Sequence, residues 1–295
     1  MKDIFNQYLT QLSKNISILP DKNEETPVNT LKALWLAAAG TPVSVVKAEG
    51  YELPELSAHD LEKLEELINR RIEDVPLAHL TGRQSFMGME MLAGPEALIP
   101  RKETEILART AIEILKQNPA ENLHVIDVCT GAGNIALSIA DSIKNSKIYA
   151  ADLSEDAVKL AKENADFLGI SSRVEFYSGD LLEPFDSLDL YEKIHLLTCN
   201  PPYISTSKVS DMPDEISRFE PDMAFDGGAF GINLIRRLIV DAEKFLCKDG
   251  FLAFEVGLGQ GNIIKKQVEK SALYTNIKTV NDDSGNPRVV VAQKI

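Results

Sequence analysis

Between Leu31 and about Leu80, apolar residues recur at three- and four-residue intervals, the spacing of a helix with one buried face. The pattern runs through LKALWLAAAG and LSAHDLEKLEELINRRIEDVPLAHL. Ser57 precedes the second stretch and Asp60 follows in its first turn, which is typical of a helix N-terminus. We therefore predict a small helical domain over residues 1–80.

Glycines and short apolar pieces replace this pattern after Thr81, as in SFMGMEMLAG. Such a stretch favours a β-hairpin, which we place in a linker over residues 81–101. A helix is predicted from about Lys102 through ETEILARTAIEILKQ, because glutamates occupy its first turn and a lysine lies near its end.

Short apolar runs alternate with helical patterns after Asn122. The predicted strands are HVIDVC, KIYAAD, RVEFYS, IHLLTC, FLAFEV and RVVVAQ, and helices are predicted from Asn134 and Glu155. This alternation is typical of an α/β domain, in which helices cover both faces of a mostly parallel sheet. We assign residues 102–295 to that domain.

Composition and charge exclude several classes of protein. The chain has 295 residues, 44% of them hydrophobic, and no continuous apolar run that would span a bilayer. The start MKDIFNQYLTQLSKN lacks the apolar core of a secretory signal, so we expect a cytoplasmic protein that does not enter a membrane. A net charge of -14 makes nucleic acid an unfavourable main partner, because phosphate contacts require lysine and arginine.

Cysteine and histidine are sparse and scattered: Cys129, Cys199, Cys247, His59, His79, His124 and His195. No C-x-x-C pair occurs, and the histidines lack the close spacing of metal ligands. We predict reduced thiols and no metal site.

The first predicted strand runs directly into DVCTGAGNIAL, where Gly131, Gly133 and Ala136 match the pattern G-x-G-x-x-G/A. Asp152 ends the next strand 21 residues after Gly131, where a carboxylate can accept hydrogen bonds from ribose hydroxyls. Two kinds of ligand fit, a nicotinamide or flavin dinucleotide and S-adenosylmethionine. Asp127 favours the second, because an acid at the strand end suits a cationic amino or sulfonium group better than a pyrophosphate.

A third acid, Asp180 in YSGDLLEP, follows the third predicted strand. It could accept a hydrogen bond from an adenine amine, with Leu181 packing on the base, or it could cap a helix or turn. The later glycines in VGLGQGN are not followed by a strand that ends in an acid, so we predict only a strand-to-helix turn there.

The segment CNPPYI, residues 199–204, follows the fourth predicted strand, at the edge where open α/β sheets bind ligands. Pro201 and Pro202 make it stiff. The Asn200 carboxamide oxygen and nearby carbonyls can accept from a group with two N–H donors, and Tyr203 offers a face for stacking. Beside a methyl sulfonium, this predicts N-methylation of an amide or an exocyclic amine. The alternative is a proline-rich turn.

Several segments resemble the N5-glutamine methyltransferases of the HemK/PrmC type, which methylate the glutamine of the GGQ motif in peptide chain release factors. They are RRIEDVPLAHLTGRQSFMGMEM, ALIPRKETEIL, DVCTGAGNIAL, AADLSEDAVKLAKENA, NPPYI, FEPDMAFDGGAFG and the final RVVV. NPPY is shared with DNA adenine and RNA guanine methyltransferases. LIPR-x-ETE and FEP-x-x-A-x-DGG are more specific to the glutamine group.

The resemblance implies a class I, Rossmann-like methyltransferase fold with a seven-stranded, mostly parallel sheet, an N-terminal helical bundle and a β-hairpin linker. It implies that adenosylmethionine is held by Cys129, Thr130, Gly131, Ala132, Gly133, Asp152, Asp180, Leu181 and Asn200. It implies that the glutamine side chain is gripped by Asn200, Pro201, Pro202 and Tyr203, of which Asn200, Pro201 and Tyr203 are expected to be catalytic.

The expected partner is a release factor docked on the helical domain. Alternative acceptors are a ribosomal-protein glutamine or an adenine or guanine amine, and a dinucleotide-dependent oxidoreductase is a further, less favoured, hypothesis. Cys129 occupies a position that is commonly glycine in the family, which requires its side chain to point away from the ligand. The acidic loop over residues 211–228 is interpreted either as part of the acceptor site or as solvated surface.

Overall fold

A computed structural model describes residues 2–204, 212–225, 227 and 233–295. The chain divides into two compact units, Met1–Ile99 with Met212–Glu220, and Pro100–Asp211 with Pro221–Ile295. The hairpin thus belongs to the first unit. So does the segment 212–220, which the sequence analysis had placed in the α/β domain.

Helices and one hairpin build the first unit. The helices are α1 (Lys2–Asn15), α2 (Pro27–Ala38), α3 (Val45–Ala48), α4 (Ala58–Ile72), α5 (Leu77–Thr81) and the one-turn helix Asp214–Ser217. Strands β1 (Arg83–Phe86) and β2 (Met89–Leu92) pair antiparallel, as the glycine pattern predicted. The predicted start of α4 is confirmed, because Ser57 Oγ accepts from the Asp60 amide while the Asp60 carboxylate accepts from the Ser57 amide.

A cluster of four buried charges, Lys22, Glu25, Arg71 and Glu215, explains why the segment 212–220 belongs to the first unit. Arg71 Nη1 lies 3.1 Å from Glu215 Oε2, and Arg71 Nη2 lies 3.2 Å from Glu25 Oε2. Lys22 Nζ lies 2.5 Å from Glu215 Oε1. Two cations and two carboxylates balance, so each buried charge has a partner of opposite sign.

Two acids of the acidic loop, Glu215 and Glu220, fit neither interpretation given for it from the sequence. Glu215 is 4% exposed and Glu220 5% exposed. Glu220 Oε2 accepts a hydrogen bond from the Ile99 amide at 2.9 Å. These two acids are therefore anchors of the first unit and not solvated surface, while residues 211, 226 and 228 lie outside the described residues.

The second unit is built on a seven-stranded sheet, as expected. Its strands are β3 (Leu123–Val128), β4 (Ser146–Asp152), β5 (Val174–Ser178), β6 (Ile194–Cys199), β7 (Leu246–Glu255), β8 (Tyr274–Asn281) and β9 (Pro287–Lys294). Their order is β5-β4-β3-β6-β7-β9-β8, and β9 alone runs antiparallel to both of its neighbours. The sequence analysis missed β8, an edge strand of mostly polar, partly exposed residues.

Helices between the strands cover this sheet. They are α6 (Thr104–Gln117), α7 (Asn134–Ser142), α8 (Glu155–Phe167), α9 (Asn233–Phe245) and α10 (Gly261–Ser271). Helices α7 and α8 begin where the sequence predicted. Val125 and Ile126 point to opposite faces of β3 and are both fully buried, so both faces of the central strand are covered.

Strand β3 has β4 on one side and β6 on the other, so the chain reverses its direction of winding there. Ligands of open α/β sheets bind outside the carboxyl ends of the strands at such a point. The glycine loop follows β3, and Asp152 is the last residue of β4. The segment CNPPYI begins at the last residue of β6. None of the helices in the described residues is long and apolar enough to cross a membrane.

Candidate active site

The loop after β3 owes its shape to three residues in the left-handed region. Cys129, Gly131 and Gly133 have φ values of 56°, 55° and 86°. A Cβ on Gly133 would lie 3.0 Å from Leu137 Cδ1, so this glycine allows α7 to pack closely behind the loop. A Cβ on Gly131 would meet no atom within 4 Å, so this side of the loop faces open space.

The Cys129 side chain was expected to point away from the ligand. Its positive φ explains why glycine suits the position. Its side chain packs against the core of the sheet and interacts with the thiol of Cys199, at the end of β6. The cysteine side chain is therefore turned into the core. Burial raises the pKa of the Cys199 thiol well above its ordinary value.

Asp127 has contacts that differ from the expected ones. It is fully buried, and its two carboxylate oxygens accept hydrogen bonds from Thr130 Oγ1 at 2.6 Å and Thr198 Oγ1 at 2.7 Å. Burial raises its pKa to about 6, although these hydrogen bonds act in the opposite direction. The carboxylate fixes the glycine loop to β6, and the expectation that Asp127 faces a cationic group is not supported, because the residue is 0% exposed.

Asp152 lies at the carboxyl end of β4, as predicted, and it also shapes the loop. Its Oδ2 accepts from the Gly131 amide at 2.8 Å and its Oδ1 accepts from the Ser154 amide at 3.0 Å. Burial raises the pKa of this carboxyl. Each carboxylate oxygen can accept a further hydrogen bond, so Asp152 remains able to bind a hydroxyl beside the open face of Gly131.

Asn134, the first residue of α7, is a polar group that the sequence analysis did not select. It is buried, and its Oδ1 has no hydrogen-bond partner among the described residues. A buried acceptor without a partner is costly, so it marks a place where a ligand donor would be stabilising. Ala132 and Thr130, in the same loop, are each 4% exposed.

Asp180 follows β5, where the sequence predicted it, but it has a partner that was not foreseen. Its Oδ2 lies 2.9 Å from Arg237 Nη2 of α9, with both side chains partly exposed. Leu181 has φ of 49° and is 5% exposed, packed in the core of the sheet. The adenine contacts assigned to these two residues stay predictions.

The CNPPYI segment is held at both ends. Asn200 Nδ2 donates to Thr104 Oγ1 at 3.2 Å, and Tyr203 OH donates to Glu255 Oε1 at 3.0 Å. Pro201 between them is buried and Pro202 is partly exposed. Asn200 Nδ2 is engaged by Thr104, so the carboxamide oxygen is the atom that remains for a substrate.

Glu255, at the end of β7, is the central group beneath this segment and was missed by the sequence analysis. It is 1% exposed, and Arg288 Nη2 lies 3.6 Å from its Oε1. Burial raises the pKa of this carboxyl, against the stabilisation of its charge by Thr104, Arg288 and Tyr203. Burial and the nearby Glu255 charge in turn raise the pKa of the Tyr203 hydroxyl.

The turn VGLGQGN joins a strand to a helix, as predicted, and it also supports the CNPPYI segment. Gln260 Nε2 donates to the Tyr203 carbonyl at 2.9 Å, and Gln260 Oε1 accepts from the Gly257 amide at 3.0 Å. The next residue, Ile204, donates its amide to the Phe225 carbonyl at 3.0 Å. These bonds fix the backbone on the carboxyl side of the prolines.

The register of the sheet brings the two parts of the site together. Val128 of β3 is the direct partner of Cys199 of β6, so the glycine loop and Asn200 leave neighbouring strands at the same level. Asp152 joins them through its hydrogen bond to the Gly131 amide. In the part of the chain that is described, no group of three or more histidine, cysteine, aspartate or glutamate side chains is placed to hold a metal ion.

Comparison with known proteins agrees with this geometry. A family model described as a methyltransferase domain matches residues 119–284. Over 227 residues the chain is 37% identical to the release factor glutamine methyltransferase of Moorella thermoacetica, covering 77% of this chain and 78% of that protein. Over 282 residues it is 31% identical to the release factor glutamine methyltransferase of Clostridium acetobutylicum, covering 95% and 96% of the two chains.

The fold also recurs among solved structures. The human methyltransferase 10 domain containing protein matches with a TM-score of 0.51 and 15% identity, covering 70% of this chain and 88% of that one. At that identity the likeness concerns the fold alone.

Proposed function

The chain belongs to the family of release factor glutamine methyltransferases, and we propose that it transfers a methyl group from S-adenosylmethionine to the side-chain amide nitrogen of the GGQ glutamine in a peptide chain release factor. The observation that carries the proposal is the position of Asn200. Its carboxamide is fixed through Nδ2 to Thr104. Asn200 directly follows β6, and β6 is the neighbour of β3, the strand that leads into the open glycine loop.

The residues around the loop fit adenosylmethionine. The space beside Gly131 admits a ligand, Asp152 can accept from ribose hydroxyls, and the unpartnered Asn134 Oδ1 can accept from an amino group. We assign its binding to Cys129, Thr130, Gly131, Ala132, Gly133, Asp152, Asp180, Leu181 and Asn200. When bound, adenosylmethionine would supply a methyl group activated by its positively charged sulfur.

Asn200 and Pro201 would hold the acceptor amide. A glutamine side-chain amide has two N–H donors, and the Asn200 Oδ1 and the Pro201 carbonyl can each accept one of them. An amide nitrogen is a poor nucleophile because its lone pair is shared with its own carbonyl. Holding both hydrogens favours a more pyramidal nitrogen whose lone pair is aimed at the methyl carbon, and such positioning lowers the barrier.

Tyr203 and Pro202 would complete the acceptor site. The hydrogen bond from the Tyr203 hydroxyl to Glu255 fixes the ring, which would pack on the planar amide. Pro202 is partly exposed beside it. No strong base would be required before attack, because an amide nitrogen that has gained a methyl group would be acidic enough to release its proton to water.

The test is methyl transfer to a purified release factor. Wild-type protein, adenosylmethionine and the release factor are incubated together, and the GGQ peptide is sequenced by mass spectrometry. We expect one methyl group on the glutamine side chain. Calorimetric titration with adenosylmethionine and with NAD serves as the control for cofactor binding. A protein that binds adenosylmethionine and leaves the glutamine unmodified contradicts the proposal.

We also propose that the first unit docks the release factor. Val46 and Tyr51, near each other in sequence after α2, are 49% and 50% exposed although both are large apolar side chains. Tyrosine is among the residue types enriched in protein interfaces. The docking role is separable from catalysis, because a short GGQ peptide would need only the CNPPYI segment.

A further inference from the structure

Two of the segments that identify the family, ALIPRKETEIL and the final RVVV, lie outside the residues assigned above to the cofactor and the acceptor amide. The structure brings one residue from each to Glu255. Thr104 of the first segment accepts a hydrogen bond from Asn200 at 3.2 Å, and Arg288 of the second lies 3.6 Å from the carboxylate. Tyr203 reaches the same carboxylate at 3.0 Å. Glu255 thus holds the Tyr203 end of the CNPPYI segment, and Thr104 holds the Asn200 end.

The direction of the hydrogen bonds follows from their chemistry. Because the Thr104 hydroxyl accepts from Asn200, its own proton is available to another acceptor, and the Thr104 side chain lowers the pKa of the buried Glu255 carboxyl. An ionised carboxylate only accepts hydrogen bonds. Thr104 is 3% exposed and Glu255 1% exposed, so water has little access to either group. A Thr104 hydroxyl that donates toward Glu255 keeps its lone pairs toward Asn200.

That orientation selects between the two ends of the Asn200 carboxamide. The NH2 end is matched to the lone pairs of Thr104, which leaves Oδ1 on the other side. A flipped carboxamide would place its NH2 group against the two N–H donors of the acceptor amide. It would lose one acceptor and put donor against donor.

We propose that Thr104 is a positioning residue that keeps the Asn200 carboxamide oxygen toward the acceptor nitrogen. This inference rests on the proposed function. It gives a physical role to the threonine of LIPR-x-ETE, which never touches the substrate and acts through Asn200.

The kinetic test compares three variants. Thr104→Val keeps the shape of the side chain and removes the hydroxyl, while Thr104→Ser keeps the hydroxyl. Thr110→Val is the matched control, because Thr110 lies on the same helix and its hydroxyl donates to the Ile106 carbonyl of that helix. We expect Thr104→Val to lower kcat by about tenfold or more, with KM for the release factor and Kd for adenosylmethionine changed less than about twofold. Thr104→Ser should recover most of the loss, and Thr110→Val should keep the wild-type kcat.

A second readout needs no methyl transfer. In the nitrogen-15 spectrum of the protein without ligands, the side-chain NH2 resonances of Asn200 are assigned as those that disappear in Asn200→Asp. Thr104→Val should move them and Thr104→Ser should leave them near their wild-type positions. A wild-type kcat in Thr104→Val, an equal loss in Thr104→Ser, or unmoved resonances would each overturn the inference. If wild-type protein does not modify the release factor, the proposed function fails, and the spectra still report whether Thr104 orients Asn200.

Discussion

Replacing Asp127 by asparagine should change how stability depends on pH. Asp127 is fully buried, and burial raises its pKa to about 6 from an ordinary value of 3.8. The folded protein thus binds this proton more tightly than the unfolded chain does. The stability contributed by Asp127 is fully present below its unfolded pKa and is lost as the pH rises through the folded pKa.

The magnitude follows from the two pKa values. Integrating the difference in proton binding between about pH 4.5 and about pH 7 gives about 2 kcal/mol. Asparagine has no proton to bind, so Asp127→Asn lacks this term at every pH. The free energy of unfolding of the wild type, taken relative to the variant, should therefore fall by about 2 kcal/mol over that interval.

Urea unfolding followed by circular dichroism, at steps across the interval, measures this difference. Asp189→Asn is the control, because the Asp189 side chain is 94% exposed. Its stability relative to the wild type should vary little with pH. A difference between wild type and Asp127→Asn that stays constant within about 0.5 kcal/mol would refute the reasoning, since it would mean that folding does not raise the pKa of Asp127.

Three further predictions concern stability and docking. Gly133→Ala should destabilise the protein by about 1–2 kcal/mol in urea unfolding, because φ at this position is 86° and the new Cβ would lie 3.0 Å from Leu137 Cδ1. An unchanged free energy of unfolding would contradict the close packing of α7 against the loop. Glu215→Gln should cost about 3–5 kcal/mol, since Lys22 and Arg71 stay buried without it, and a neutral result would contradict the balance of that cluster. Tyr51→Ala should raise KM for the intact release factor and leave kcat for a short GGQ peptide unchanged; equal effects on both would argue against docking there.

The strands of the sheet could be predicted where they are apolar and are followed by turn-forming residues such as glycine and proline. Strands β3 and β6 are nearly all buried and are followed by a glycine loop and by CNPPYI, so both strands and the edge that holds the site could be predicted. Strand β8 has few buried residues, since it lies at the edge of the sheet, and it has no clear apolar pattern.

The supporting groups of the site could not be derived, because their role depends on contacts between distant positions. Glu255 ends an apolar run and looks like an ordinary strand terminus until Tyr203, 52 positions earlier, is placed beside it. Asn200 and Thr104 are 96 positions apart. Glu215 looked like part of an acidic loop, and only the arginine 144 positions away shows it to be buried. Asp127 was expected to face a cation, whereas it is fully buried and its carboxylate accepts hydrogen bonds from two threonines.

The identity of the methyl acceptor is the central claim, and a competition tests it most directly. A release factor, ribosomal proteins and nucleic acid are mixed with wild-type protein and adenosylmethionine that carries a labelled methyl group, with Asn200→Ala as the inactive control. We predict that the label appears on the GGQ glutamine of the release factor in the wild-type reaction and is absent with Asn200→Ala. Label in the nucleic acid or in a ribosomal protein, with an unlabelled release factor, would contradict the account.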